Sequence, residues 1–190
     1  MIEKQEETEM RLKLLSPGEM NEEQKQTYDE SIAGKRGAPP PPMMAWLNSP
    51  EMARHATRLG AVLRFDTIFP AKLSEIAILV TARHWTSHYE WYAHKRLALK
   101  GGMDPQIIEE IRNRRTPRFD DPKAQTIYDV AKSLHEGRGL SKALYDDAVK
   151  TLTERGLVEI IGLCGYYTMV SMTLNTFEFD LPAGEVSELV

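Results

Sequence analysis

The chain has 190 residues, a composition ordinary for a globular protein and a formal net charge of −4, so it is most simply one domain able to bury a core without metals or crosslinks. The mildly acidic balance argues against a strong global electrostatic attraction for nucleic acid. The single cysteine, Cys164, excludes an intrachain disulfide and a two-thiol relay within one chain.

The opening MIEKQEETEM is charged and has no apolar signal core, so a cytoplasmic location is expected. Asn21 followed by Gln24 has the pattern of a capping pair and opens a helix predicted to run to about Gly34. The stretch GAPPPPMM, Gly37 to Met44, cannot be helix interior and is expected as an extended, polyproline-like strap. MMAW directly after the prolines suggests that the strap packs down on the body. Ser49-Pro50 then offers an N-cap and a first-turn proline for a helix to about Phe65. Pro70 starts the next helix, where Leu73, Ile76, Ala77 and Val80 keep helical spacing while Ile78 and Leu79 fill other faces. A helix apolar nearly all round is a buried one, which leaves Glu75 inside an apolar element.

Asp104-Pro105 and Asp121-Pro122 each read as a cap followed by a first-turn proline. Ile127, Tyr128, Ala131 and Leu134 form a helical stripe that stops at Gly137. Ser141 opens another helix, with Leu144, Ala148 and Leu152 on one face and Gly156 as its expected C-terminal stop. The apolar stretch Leu157 to Phe177 follows and should end before Pro182. It approaches the length a bilayer requires, but Glu159, Asn175, two glycines and several hydroxyls interrupt it and no basic flank sets an orientation. A buried central or interface helix is therefore expected, with no membrane span. No period-two strand and no internal repeat is visible, and the predicted fold is all-α with about seven helices.

The densest polar constellation is EIAILVTARHWTSHYEWYAHKR, Glu75 to Arg96. On a helix Ser87, Glu90 and His94 fall at i, i+3 and i+7 and share a face. A carboxylate four residues before an imidazole can fix its tautomer and favour its protonated form. A chain reversal near Thr86-Ser87 would bring Glu75 towards His94. Such a group of acids and imidazole suits general acid–base chemistry; the alternative is a buried ion pair that only holds two helices together. A metal is the rival chemical reading, because His84 and His88 are four apart. His84, His88 and His94 do not share one face, however, and HExxH is absent, so no metal is expected. RNRRTPR, Arg112 to Arg118, could hold an anionic ligand or a partner carboxylate, or be a solvated face. Tyr89, Trp91 and Tyr92 could line an apolar substrate pocket or belong to the core, as could Tyr166-Tyr167. Cys164 reads as a small core residue.

The segment LSEIAILVTARHWTSHYEWYAHKRLALKGGMDPQIIEEI resembles the carboxymuconolactone decarboxylase family, which is related to alkyl hydroperoxidase D. The shared pattern is a helix with an early glutamate, here Glu75, then a second helix opening near Ser87 and carrying a histidine, here His94, then a Gly-Gly-Met-Asp-Pro turn. The redox branch of that family places Cys-x-x-Cys ahead of the histidine; those two positions are Ser87 and Glu90 here. The resemblance runs from about Leu63 to Leu181. It implies an alkyl hydroperoxidase D-like helical bundle assembling as homotrimers or homohexamers. The chain then divides into a helical extension with a proline-rich strap over 1–62, the family-like domain over 63–181 and a tail over 182–190.

What the resemblance implies for function is a cofactor-free carboxy-lyase, not a thiol peroxidase, acting on a small, anionic carboxylated lactone or a related intermediate of aromatic catabolism. Catalysis would fall to Glu75, Glu90 and His94, with His94 as stabiliser and proton donor, and substrate contact to Ser87, Tyr89 and Trp91. A non-enzymatic helical oligomer, or another proton-transfer lyase, isomerase or hydratase on the same site, stands beside it.

Overall fold

The computed structural model describes residues 10–35 and 37–190; most of the charged opening stretch lies outside them. The described residues form eight helices and no strand: α1 (Glu22–Ile32), α2 (Pro41–Trp46), α3 (Pro50–Phe65), α4 (Ala71–His84), α5 (His88–Lys100), α6 (Pro105–Arg112), α7 (Pro122–Gly137) and α8 (Lys142–Thr176). The starts follow the local chemistry. Asn21 and Gln24 form a full capping box (2.9 and 3.0 Å). Asp104, Asp121 and Ser141 each accept a hydrogen bond from a backbone N–H of the first turn they precede.

Two expectations are corrected. The polyproline stretch is extended only to Pro40 (φ −70, ψ 145); Pro41 and Pro42 open the short helix α2. Prolines fit there because the first helical residues donate to no intrahelical carbonyl and their φ is already near the helical value. The second correction is at Gly156, which does not end a helix. The break comes three residues earlier, at Thr153 (φ 69, ψ 165), so that α8 is two helical stretches joined at a kink, as the sequence suggested, with the junction moved. Gly156 has a different use: a Cβ built there would lie 2.8 Å from Phe69 Cζ and 3.2 Å from Ile68 Cδ1, so any larger residue would push the Phe69 ring, and the 66–70 loop that carries it, away from α8.

Helix α4 is the centre of the molecule. Every residue from Leu73 to Arg83 is buried, with α5, α7 and α8 packed around it. Helix α8 is long and apolar enough to cross a membrane by length and composition, but its inner face, including Ile160, Leu163, Cys164, Tyr167 and Val170, is part of the same core. Glu159 has a structural use within that helix, accepting the Ile68 N–H at 2.8 Å. The N-terminal helices join this core too: Trp46 is buried, and its Nε1–H donates to Thr173 Oγ1 on α8 at 2.9 Å. The strap is thereby pinned across one face of the α5–α8 pair.

Candidate active site

Helices α4 and α5 run antiparallel because the chain reverses at Trp85–Ser87. Ser87 N–H donates to Ala82 O at 2.9 Å and Thr86 N–H to Arg83 O at 3.2 Å, closing α4 with Thr86 in the left-handed conformation (φ 47). The reversal sets Glu75 on α4 opposite His94 on α5. His94 Nδ1–H donates to Glu75 Oε2 at 2.6 Å, and His94 Nε2 lies 2.8 Å from Oε1 of Glu90, one turn earlier on its own helix. All three side chains are at least nine-tenths buried. Burial by itself would push the imidazole pKa down; the two carboxylates outweigh it and raise His94 to about 9. The ring is therefore an imidazolium at neutral pH, with a carboxylate on each nitrogen.

A cavity of about 440 Å³ opens against this triad, a size suited to a small organic ligand. Tyr89, Glu90, Ala93, His94 and Leu97 line it from α5, a stripe at helical spacing. Tyr166, Tyr167 and Val170 supply the α8 wall, and the Tyr167 ring stands edge-on to His94 at 4.9 Å. The strap from Ala38 to Pro42 closes a third side, and Lys35, Arg64 and Phe65 stand at its rim. Lys35 is paired with Asp66. Arg64 lies over the Phe65 ring at 5.6 Å and has no carboxylate partner among the described residues. Glu75 is behind the wall and does not line the cavity.

Of the six sequence-predicted residues, Glu75, Glu90 and His94 converge, and Tyr89 lines the cavity. Ser87 and Trp91 do not. Ser87 is fully buried at the start of α5 with its Oγ unpartnered. Trp91 turns to the opposite side, where its Nε1–H donates to Glu188 Oε2 at 3.2 Å, because the residue after Glu90 is rotated by about 100° around the helix. His84 and His88 do not face one point: α4 ends at the first and α5 begins at the second. His84 stacks on His135 and His88 contacts Ser187. Sequence reasoning left Tyr166 and Tyr167 open between pocket and core and did not single out Lys35, Arg64, Phe65 or the strap as site walls. The tyrosine pair carried one usable signal, two phenolic hydroxyls in an otherwise apolar helix that need polar partners. Cys164 is buried away from this cavity, and burial pushes its thiol up to about 12.

No family model matches the sequence, and no curated protein matches it. Solved structures do. A peroxidase-related protein from Silicibacter aligns over 92% of both chains with a TM-score of 0.73 at 17% identity. An alkylhydroperoxidase D core protein from Ralstonia eutropha, also peroxidase-related, covers 92% of this chain and 93% of its own with a TM-score of 0.74 at 13% identity. The chain has the alkylhydroperoxidase D-like fold. A third neighbour with this fold is a debrominase solved with 2,3,4-tribromopyrrole, covering 93% of this chain and 94% of its own with a TM-score of 0.69 at 11% identity. In all three the alignment extends over more than the 63–181 region, so the fold takes in most of the N-terminal helices.

Proposed function

We propose that the protein is a cytoplasmic, cofactor-free carboxy-lyase that moves a proton between a small anionic, ring-shaped substrate and the Glu90–His94–Glu75 relay. The observation that carries this is the buried His94 ring held at 2.6 and 2.8 Å between the carboxyl groups of Glu75 and Glu90, the second of which lines a cavity of about 440 Å³. Both nitrogens of His94 are engaged, so Glu90 is the group that meets substrate. In a carboxylated lactone or a related product of aromatic breakdown, the C–C bond to the carboxylate breaks, carbon dioxide leaves, and the electron pair stays behind as a delocalised enolate. Glu90, supplied from His94 Nε2, delivers the proton to carbon. Glu75 holds the ring and the positive charge that offsets the enolate while it exists. Water then restores the proton to the relay. Arg64 and Lys35 at the rim suit the remaining carboxylate, and Tyr89, Tyr166, Tyr167 and the strap limit solvent access.

The thiol chemistry of the redox branch is disfavoured on this chain's own residues. Its two cysteine positions are Ser87 and Glu90, and Cys164 lies elsewhere with a raised pKa. Assembly as a homotrimer or homohexamer is part of the same proposal, supported by the apolar side chains that α3 and α8 leave exposed, among them Leu59, Val62, Val158 and Ile161.

The experiment is turnover of carboxylated muconolactones in deuterium oxide, following carbon dioxide release and deuterium at the receiving carbon. Glu90→Gln should lower kcat by about 10²–10⁴ with folding retained. Near-wild-type turnover in both Glu90→Gln and His94→Asn would overturn the assignment.

A further inference from the structure

At the far end of α4, about 12 Å along the helix axis from Glu75, lies a second group of residues that the proposed reaction does not use. Helices α4 and α6 both close with the paired bonds of a Schellman motif. In α6 Arg115 N–H donates to Glu110 O at 2.9 Å and Arg114 N–H to Ile111 O at 3.0 Å. Glycine is the usual left-handed residue in that motif. Here the two positions are held by Thr86 (φ 47) and Arg114 (φ 57), and a β-branched residue at positive φ is an outlier. The two strained residues meet. Thr86 Oγ1 accepts from Arg83 Nη1 at 3.0 Å and from Arg114 Nη2 at 3.4 Å, while Arg114 Nη2 also approaches Arg83 O at 3.5 Å.

Arg83 is 7% exposed. Its Nε donates to Arg112 O at 2.6 Å and its Nη2 to Val190 O at 2.8 Å. Neither Arg83 nor Arg114 has a side-chain carboxylate partner among the described residues. Burial, and then the charge of Arg114, push the Arg83 pKa down. Two guanidinium groups thus stand side by side on one hydroxyl, Arg83 buried and also bonded to the Val190 oxygen, Arg114 exposed, so an anion at Arg114 would offset the like-charge repulsion. The surroundings add more positive charge. A pocket of about 80 Å³ is lined by both arginines together with Arg115, Lys132 and the stacked rings of His84 and His135, with Glu136 as the acidic residue on its wall. Arg115 is engaged with Glu110, whereas Lys132 lies over the Tyr128 ring at 5.9 Å. Burial and then His84 hold the His135 pKa down at about 4, so its ring offers polar atoms at neutral pH without a charge.

We infer that this pocket, at the junction of α4, α6 and α7, binds a small oxyanion, a phosphate or sulfate group either free or as the head of a larger ligand. The size admits one tetrahedral anion; the exposed Arg114 guanidinium presents the forked donors that oxyanions accept, and Arg83, whose three nitrogens already donate within the protein, adds positive charge beside it. The pocket is walled off from the catalytic cavity by α4, and the two share no lining residue.

The test is isothermal titration calorimetry with inorganic phosphate at constant ionic strength, with sodium chloride as the reference salt, on the wild-type protein and on Arg114→Gly. Wild type should bind phosphate, and its melting temperature should rise with phosphate beyond the effect of chloride. Arg114→Gly relieves the left-handed strain, so it should melt no lower than wild type in chloride, yet its phosphate affinity should fall at least tenfold. Lys132→Gln, which leaves the backbone untouched, should weaken binding in the same direction. Phenyl phosphate distinguishes the sources: tighter binding than inorganic phosphate marks a ligand headgroup, and equal binding marks the free anion. Absence of a phosphate-specific effect in wild type, or unchanged affinity in Arg114→Gly and Lys132→Gln, would overturn the site.

Discussion

If His94 is the buried imidazolium of an acid–base relay, the protein must lose stability as that ring is deprotonated, and the size and pH window of the loss follow from its surroundings. The ring moves from an ordinary 6.5 in the unfolded chain to about 9 in the fold. Burial acts against the shift, and Glu75 and Glu90 override it. Each pKa unit is worth about 1.4 kcal/mol, so the charged ring contributes about 3 kcal/mol. A folded-state pKa above the unfolded one gives stability that is complete below pH 6.5 and declines as pH rises through about 9. Urea unfolding between pH 6 and 10 at fixed protein concentration should show this decline, and the His94 ring proton resonances should titrate near pH 9. In Glu90→Gln one of the two raising charges is gone, so both the resonance midpoint and the end of the decline should move to lower pH. A ring that titrates near 6.5 in wild type, with stability flat from pH 7 to 10, would refute the bridged imidazolium and with it the proton donor proposed above.

Gly156→Ala should destabilise by about 1–3 kcal/mol in denaturant unfolding, because the added Cβ would meet Phe69 Cζ at 2.8 Å. Ser87→Ala should leave stability unchanged or raise it by about 1 kcal/mol, since a buried hydroxyl without a partner is removed; a loss of more than that would mean the hydroxyl is engaged. With the Cys164 thiol pushed up to about 12, an assay with hydroperoxide and a dithiol reductant should show no rate that disappears in Cys164→Ser. Light scattering at micromolar concentration should report a trimer or hexamer, and a monomer would contradict the reading of the exposed α3 and α8 side chains.

The parts of the site that were legible in the sequence are the ones set by short-range geometry. Glu90 and His94 are four residues apart, so any helix there brings them together. Glu75 could be placed opposite them because a single reversal near Thr86-Ser87 suffices, and the apolar run around Glu75 made its helix a buried one. The choice between neighbours was not legible. Tyr89 and Trp91 flank Glu90 with similar chemistry, and the sequence does not say that Glu188 waits on the far side to take the indole N–H. Tyr166 and Tyr167 stayed open between pocket and core, because an apolar helix does not show which of its faces meets a cavity. Arg64 and Lys35 reach the rim only through the packing of α1 and α3, a long-range result that no local pattern encodes. The prolines were read correctly as unable to sit in a helix interior, but Pro41 and Pro42 occupy a first turn, where that rule does not apply.

The wall built from Pro39 to Pro42 has a chemical character of its own. Four consecutive residues without an amide hydrogen give that stretch ring methylenes and no backbone donor of its own. Under the reaction proposed above, a carboxylate or enolate oxygen would gain no hydrogen bond from the prolines and would be better placed at Arg64, Lys35 and the tyrosines, with the apolar edge of the ligand against the prolines. In that reading the strap would orient by refusal, and a Pro→Ala change at a position whose backbone nitrogen faces the cavity would weaken the bias by adding one N–H.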